Sequence, residues 1–192
     1  MILQVKKYGD PILRTKGKLV KEFGFELKEL VGNMLETMYE AHGIGLAAQQ
    51  VGLALQLSVI DLQLPPDTRE TELTAVYDSK ETPIELLFPL VLINPSIVEA
   101  SCEKAFHEEG CLSFPGTWGD VVRAKWLTIK YKDLQGHEHT LGAGGLLARC
   151  IQHEMDHLNA VLFIDRLQKS ELQELKPQLT KLQLNTKKQL TK

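Results

Sequence analysis

The stretch "QHEMDHLNAVLF", Gln152 to Phe163, constrains this chain more than any other. Residues four apart share a face of a helix, so His153 and His157 of its His-Glu-x-x-His run point the same way. Ile151, Met155, Leu158 and the apolar "AVLF" predict that this helix is surrounded by core. Two partnerless imidazoles there, with the Glu154 carboxylate between them, are costly unless paired or working. One metal ion resolves all three, because neutral imidazoles coordinate it and the carboxylate sits beside its water. Asp156 lies roughly 100° round the helix from both Met155 and His157 and receives no catalytic role.

Two histidines need a third ligand. No histidine follows His157, and the downstream carboxylates Asp165, Glu171 and Glu174 lie beside an arginine or in a polar tail. Among the thiols, Cys150 shares the helix, but the rise from it to His157 is about 10 Å. One ion does not readily span that, so Cys150 is expected to line the cavity beside the metal. Cys102, in "EASCEKAF", is expected to be a buried or half-buried structural thiol. Cys111 sits in "HEEGCLSFPG", where Gly110, Ser113, Pro115 and Gly116 mark an irregular, shaped segment. That makes Cys111 the favoured third ligand, and a Cys-His-His set leaves a position open for water, as in catalytic sites.

The rest of the chain limits the setting. Its 192 residues suit a single core, and a formal net charge of −3 gives no general reason to bind DNA or an anionic membrane. No segment reaches membrane-spanning length and no export signal is visible, so the cytoplasm is the expected compartment. Three widely spaced cysteines argue for free thiols or a ligand rather than a disulfide framework.

Helical periodicity runs through "FELKELVGNMLETMYEAHG", weakened by Gly32 and with Gly43 as its stop. "LQLSVIDL" reads as a strand, and "PLVLINPSIVEA" reads the same way until Pro95 interrupts it. Residues Gln63 to Phe88, with Pro65, Pro66 and Pro83, read as a long loop. "KWLTIKYKDLQGHEHTLGAGG" predicts a hairpin turning at "DLQG", followed by the metal helix from about Leu146 to Asn159. In the Leu-, Gln- and Lys-rich tail, Pro177 is expected to break or kink any helix. The expected organisation is a catalytic unit over 1–168 and a helical, basic tail over 169–192.

"GIGLAAQQVG", Gly43 to Gly52, is not a dinucleotide fingerprint, since it follows a helix and lacks GxGxxG spacing. It reads either as a close-packed turn or as an edge where Gly43 and Gly45 admit an extended peptide. In the second reading Gln49 and Gln50 offer amide donors to a developing negative charge.

Taken together, "GIGLAAQQ", "EGCLS" (Glu109–Ser113) and "QHEMDH" (Gln152–His157) resemble, in order, the three motifs of the peptide deformylases. The likeness runs from "YGDPILR" to "LFIDRL", apart from Gln63–Phe88. The resemblance implies an α+β fold with antiparallel β-sheets packed around a central HExxH helix. It implies Cys111, His153 and His157 as ligands of one divalent ion, with ferrous iron the favoured metal and zinc or nickel able to replace it. Glu154 is implied as general acid/base, and Gln50 with the backbone N–H of Leu112 as oxyanion donors. Ile44 and Gly45 are implied to align the substrate, with Ile44, Leu146, Cys150 and His153 around the methionine side chain. The substrates are the formyl-methionyl ends of new polypeptides, and the tail reads either as a solvated segment or, as C-terminal helices in the family can be, as a ribosome contact. Gln49 stands where the family commonly has proline, and Ala160 where it commonly has glycine. Two competing readings are an HExxH endopeptidase, which needs a ligand from the tail, and a non-catalytic metal-binding, ribosome-associated homologue.

Overall fold

The structure, a computed structural model, describes residues 1–64 and 75–191. In chain order these form α1 (Phe25–Glu40), β1 (Gly45–Ala47), β2 (Leu57–Ile60), β3 (Ala75–Tyr77), β4 (Lys80–Glu81) and β5 (Leu90–Ala100). There follow β6 (Lys104–Gly110), β7 (Trp118–Ala124), β8 (Trp126–Lys132), β9 (Glu138–Gly144), α2 (Gly145–Leu158) and α3 (Lys169–Leu190). Seven strands form one sheet in the order β1-β2-β5-β8-β9-β3-β4, and β6 pairs with β7 in a second. The named strand pairs are all antiparallel, so the expected α+β class holds.

The sheet buries both faces in its middle, which is why β2 is apolar or small at every position. Leu57 and Val59 face α1 and meet Val31, Met34 and Met38. Ile60 and Leu92 face the other way and meet Leu147, Ala148 and Ile151 of α2. Successive side chains of a strand alternate between faces, so one short strand serves both helices. A third cluster, Leu13, Phe114, Val121, Phe163 and Ile164, closes the remaining side of α2 and receives Leu179 of α3. The metal-motif helix is therefore walled on several sides.

Helix α1 ends three residues before Gly43, and His42 takes the left-handed conformation at φ 54°. The N–H of Gly43 then bonds the carbonyl of Met38 at 2.9 Å and that of His42 bonds Tyr39 at 3.0 Å, a Schellman closure. Gly43 is needed for a different reason: a Cβ there would lie 2.7 Å from Leu112 Cδ1.

Two sequence expectations fail here, and a third is narrowed. Within Gln63–Phe88, β3 and β4 extend the sheet beyond β9, and Ile84–Leu87 is a 3-10 turn; residues 65–74 of that stretch lie outside the described ones. Strands of three and two residues are too short for alternation to register. Pro95 does not end its strand, because a register shift between Ile93 and Ser96 places it at a bulge where no ladder N–H is required. Of the break or kink expected at Pro177, the break does not occur, since α3 is helical on both sides of it. Pro177 and Gln173 are both exposed, so water satisfies the carbonyl that loses its partner, while Leu175, Leu179 and Leu182 hold the opposite face against the body. The 133–136 turn is as expected, with Gly136 at φ 85° and its N–H on the Asp133 carbonyl at 3.0 Å.

Candidate metal centre and peptide cleft

Two elements converge on one point. Helix α2 presents His153 and His157 one turn apart, with ring centroids 5.1 Å from each other. The β6–β7 hairpin, registered from Lys104↔Ala124 to Gly110↔Trp118, leaves Cys111 at the first position of its connecting loop. That loop is tight: Phe114 N–H bonds the Cys111 carbonyl at 2.8 Å, and the Phe114 ring packs on Tyr8 and edge-on to Phe163. As a result Cys111 Sγ lies 3.3 Å from His157 Nε2, and one ligand atom from each of Cys111, His153 and His157 falls within 4.8 Å of the others. These are the three residues that the sequence argument brought together.

The set fits a borderline or soft divalent ion. A thiolate and two imidazoles suit zinc or ferrous iron, and His153 has its outer nitrogen spoken for, with Nδ1 2.9 Å from Glu109 Oε2. That arrangement fixes ring orientation, as outer partners of ligating histidines do. Among the described residues Glu154 Oε2 has no hydrogen-bond partner although it is buried, as expected of a carboxylate that serves a bound water rather than the fold.

Glu109 is the residue that local reading of the sequence missed. Arg123 grips it in a fork, Nε to Oε1 at 2.8 Å and Nη2 to Oε2 at 2.9 Å, and Arg149 Nη1 adds a bond to Oε1 at 2.7 Å. The same Arg123 reaches Asp156 at 2.6 Å, and Arg166 holds the other Asp156 oxygen at 2.6 Å. A chain of buried ion pairs thus ties hairpin to helix, and Asp156 is structural. The signal was Glu109's place in the "EGCLS" motif; its partners are distant in sequence, on β7 and α2.

Electrostatics follow from this packing. Burial alone would raise the Glu109 carboxyl, but Arg123 and His153 outweigh it and hold it well below its ordinary range. Burial lifts Glu154 to about 7 against the pull of His153 and Arg123. Burial lowers His153, yet its contacts with Cys111 and Glu109 win and raise it to about 10, while burial and the His153 charge push His157 well down. Burial, then Glu154, drives the Cys150 thiol up, so it stays protonated beside the centre. Lys7 is lowered by burial, with Cys111 opposing.

A cavity of about 610 Å³ opens onto this centre, and Ile44, Gly45, Gln50, Leu112, Leu146 and Cys150 are all in its wall. Gln50 is the glutamine that faces it. Its Oε1 accepts from Ala47 N–H at 2.8 Å, which turns Nε2 towards Ser113 Oγ at 3.3 Å and Cys111 Sγ at 3.5 Å. Gln49 points away, with Nε2 3.5 Å from the Thr15 carbonyl. Ile44 and Gly45 border the cleft where β1 is the edge of the seven-stranded sheet. Cys102, by contrast, is exposed rather than buried, because it sits in the short β5–β6 connection. Asp165 pairs with Arg14.

The polypeptide deformylase family model matches residues 2–173. The chain belongs to the polypeptide deformylases. It is 48% identical over 170 residues to the peptide deformylase of Opitutus terrae, covering 88% of this chain and 86% of that one. It is 46% identical over 168 residues to that of a Wolbachia of Drosophila simulans, covering 88% of each. Among solved deformylases, one from Plasmodium falciparum superposes with TM-score 0.80 at 37% identity over 95% of this chain and 96% of that one. One from Synechococcus elongatus, in complex with actinonin, superposes with TM-score 0.77 at 44% identity over 92% and 85%. The deformylases are metal-dependent hydrolases, and among the described residues Cys111, His153 and His157 form a group that could hold a metal ion.

Proposed function

We propose that the chain removes the formyl group from N-formyl-methionine peptides, the activity of its family, with Cys111, His153 and His157 holding the metal and Glu154 moving the proton. The observation that carries this assignment is the convergence of one thiolate and two imidazoles beside a buried carboxylate that has no structural partner.

Cys111, His153 and His157 would hold a divalent ion, which would supply the Lewis acidity that makes water nucleophilic at neutral pH. Glu154 accepts the proton of the attacking water and returns it to the leaving amine as the formyl C–N bond breaks. The products are formate and a free methionyl amine. As the formyl oxygen becomes negative, Gln50 Nε2 and the Leu112 N–H donate to it; losing one such donor costs about 10² to 10³ in rate. The substrate lies extended beside Ile44 and Gly45, with its methionine side chain among Ile44, Leu146, Cys150 and His153. Ferrous iron is the assigned physiological metal, with zinc or nickel as replacements.

The compartment assigned to this work is the cytoplasm, where formylated chains emerge. The outer side of α3 exposes Lys176, Lys181, Lys187 and Lys188, a basic face that supports contact with ribosomal RNA. Unchanged co-sedimentation with ribosomes after reversing those charges would remove that contact from the account.

The activity is tested by incubating iron-loaded protein, without oxygen, with formyl-Met-Ala-Ser. Formate and free amine should appear in equal amounts. Cleavage at an internal peptide bond, or no formate from fully metallated protein, would overturn the assignment.

A further inference from the structure

The segment that precedes the 3-10 turn Pro11–Arg14 does more than cover the core. Three consecutive residues, Lys6, Lys7 and Tyr8, each bond one of the loops that carry the oxyanion donors. Lys6 N–H bonds the carbonyl of Gln50 at 2.7 Å, and Tyr8 N–H bonds that of Ser113 at 2.9 Å. Between them Lys7 sends its side chain into the cleft wall and donates from Nζ to the carbonyl of Leu112 at 2.7 Å. Backbone bonds of this kind are available to any residue, but the third requires an ammonium on a long stem.

Its target is specific. The carbonyl of Leu112 belongs to the same residue whose N–H is assigned to the oxyanion, and it lies one residue after Cys111. Gly43 leaves space for the Leu112 side chain on the opposite flank, where a Cβ would come within 2.7 Å of it. A charge-assisted bond to a carbonyl is stronger than a neutral one, so it holds the peptide after Leu112 against rotation. Rotation there would swing the preceding N–H away from the developing charge. Oxyanion donors contribute because they are already aimed before the reaction begins.

We propose that Lys7 is a positioning residue for deformylation, fixing the Leu112–Ser113 peptide so that the preceding N–H, that of Leu112, stays aimed at the reacting oxygen. This rests on the assignment of Leu112 and Glu154 made above. Lys7 touches neither the formyl group nor the metal in this account. Its removal should therefore spare metal binding and substrate affinity while slowing the chemical step.

The test compares Lys7→Met and Lys7→Arg with the parent, all fully metal-loaded. It reads kcat and KM for formyl-Met-Ala-Ser, metal per chain, thermal midpoint, and hydrogen exchange at the Leu112 and Ser113 amides. Lys7→Met should lose about 10- to 100-fold in kcat, less than deletion of a donor itself. KM should stay within about twofold, metal should remain at one per chain, and Leu112 should exchange faster. Lys7→Arg, which keeps a long cationic donor, should recover most of the loss. A parent-like kcat in Lys7→Met, or a loss that tracks metal content or thermal midpoint, would overturn the inference. Glu154→Ala in the same assay separates the two levels. If it is silent while Lys7→Met is parent-like, only the role of Lys7 falls. If Glu154→Ala turns over like the parent, the underlying mechanism falls and Lys7 with it.

Discussion

Glu154 lies directly against the backbone of Gly45: a Cβ built on that glycine would be 2.3 Å from Glu154 Oε1 and 3.0 Å from Cys150 Sγ. The absence of a side chain at the edge strand is thus what lets the carboxylate occupy its place. The peptide edge and the proton carrier are packed as one unit, and a change in one is felt by the other.

Gly45→Ala should therefore inactivate without stripping the metal. Displacing a catalytic group by about 1 Å costs on the order of 10² in rate, so kcat should fall at least that far. Metal content, read by atomic absorption, should remain at one per chain. Loss of metal in parallel with activity would mean that the clash propagates to His153 instead.

Removing Glu109 should be costly on two separate counts. Glu109→Ala leaves Arg123 and Arg149 buried with fewer partners, and breaking such a pair from one side costs about 3 to 5 kcal/mol. His153 also loses the partner of its Nδ1, which lowers metal affinity by about 10- to 100-fold. Denaturant unfolding and competition with a chelator read the two effects independently.

How much of this was legible beforehand follows from the range of each interaction. The HExxH helix, the Cys111 loop and Gln50 were readable because each lies in a short motif whose residue types state their chemistry. The 125–145 hairpin was readable from alternation and a glycine turn. The β6–β7 hairpin was not, since its inward face is Ala105, His107 and Glu109 against Gly119, Val121 and Arg123, a mixture without apolar rhythm. Glu109 and Arg123 are polar residues buried by each other, so hydrophobic patterning hides them. Proline stopped neither element for one reason: at Pro95 a bulge, and at Pro177 exposure to solvent, makes up for the missing N–H.

The far edge of the sheet should carry a pH-dependent tie. His139 sits between two carboxylates, Nδ1 2.8 Å from Asp78 and Nε2 3.1 Å from Asp133, joining the β3–β4 turn to the β8–β9 turn. Burial lowers His139, but bonds to both aspartates outweigh it and raise the imidazole above 6.5. Burial raises Asp133, but His139 and the N–H groups of His137 and Gln135 hold it at about 2, and Asp78 is lowered by His139 and Thr140. Stability from the raised histidine is complete below its unfolded value near 6.5 and is lost as pH climbs through the folded value. Stability from the lowered aspartates is complete above about 4 and is lost towards about 2. The tie is thus strongest between about pH 4 and 6.5. His139→Asn should lower the unfolding midpoint more at pH 5.5 than at pH 9, and an equal loss at both would refute the tie.

Helix α3 should be part of the folded body. Leu179 is 6% exposed, in the cluster with Leu13, Phe114 and Phe163. Leu179→Ala should cost about 2 to 4 kcal/mol by cavity formation, measured by denaturant unfolding, whereas the exposed Leu184→Ala should cost little.

The central claim is that a carboxylate with no structural partner moves the proton at a Cys-His-His metal. The most direct measurement is formate release from formyl-Met-Ala-Ser by Glu154→Gln carrying one metal per chain, beside the parent at equal metal content. Glu154→Gln should lose about 10² to 10⁴ in kcat, the span typical of a positioned acid–base group, with the metal retained. A fully metallated Glu154→Gln that releases formate at the parent's rate would contradict it.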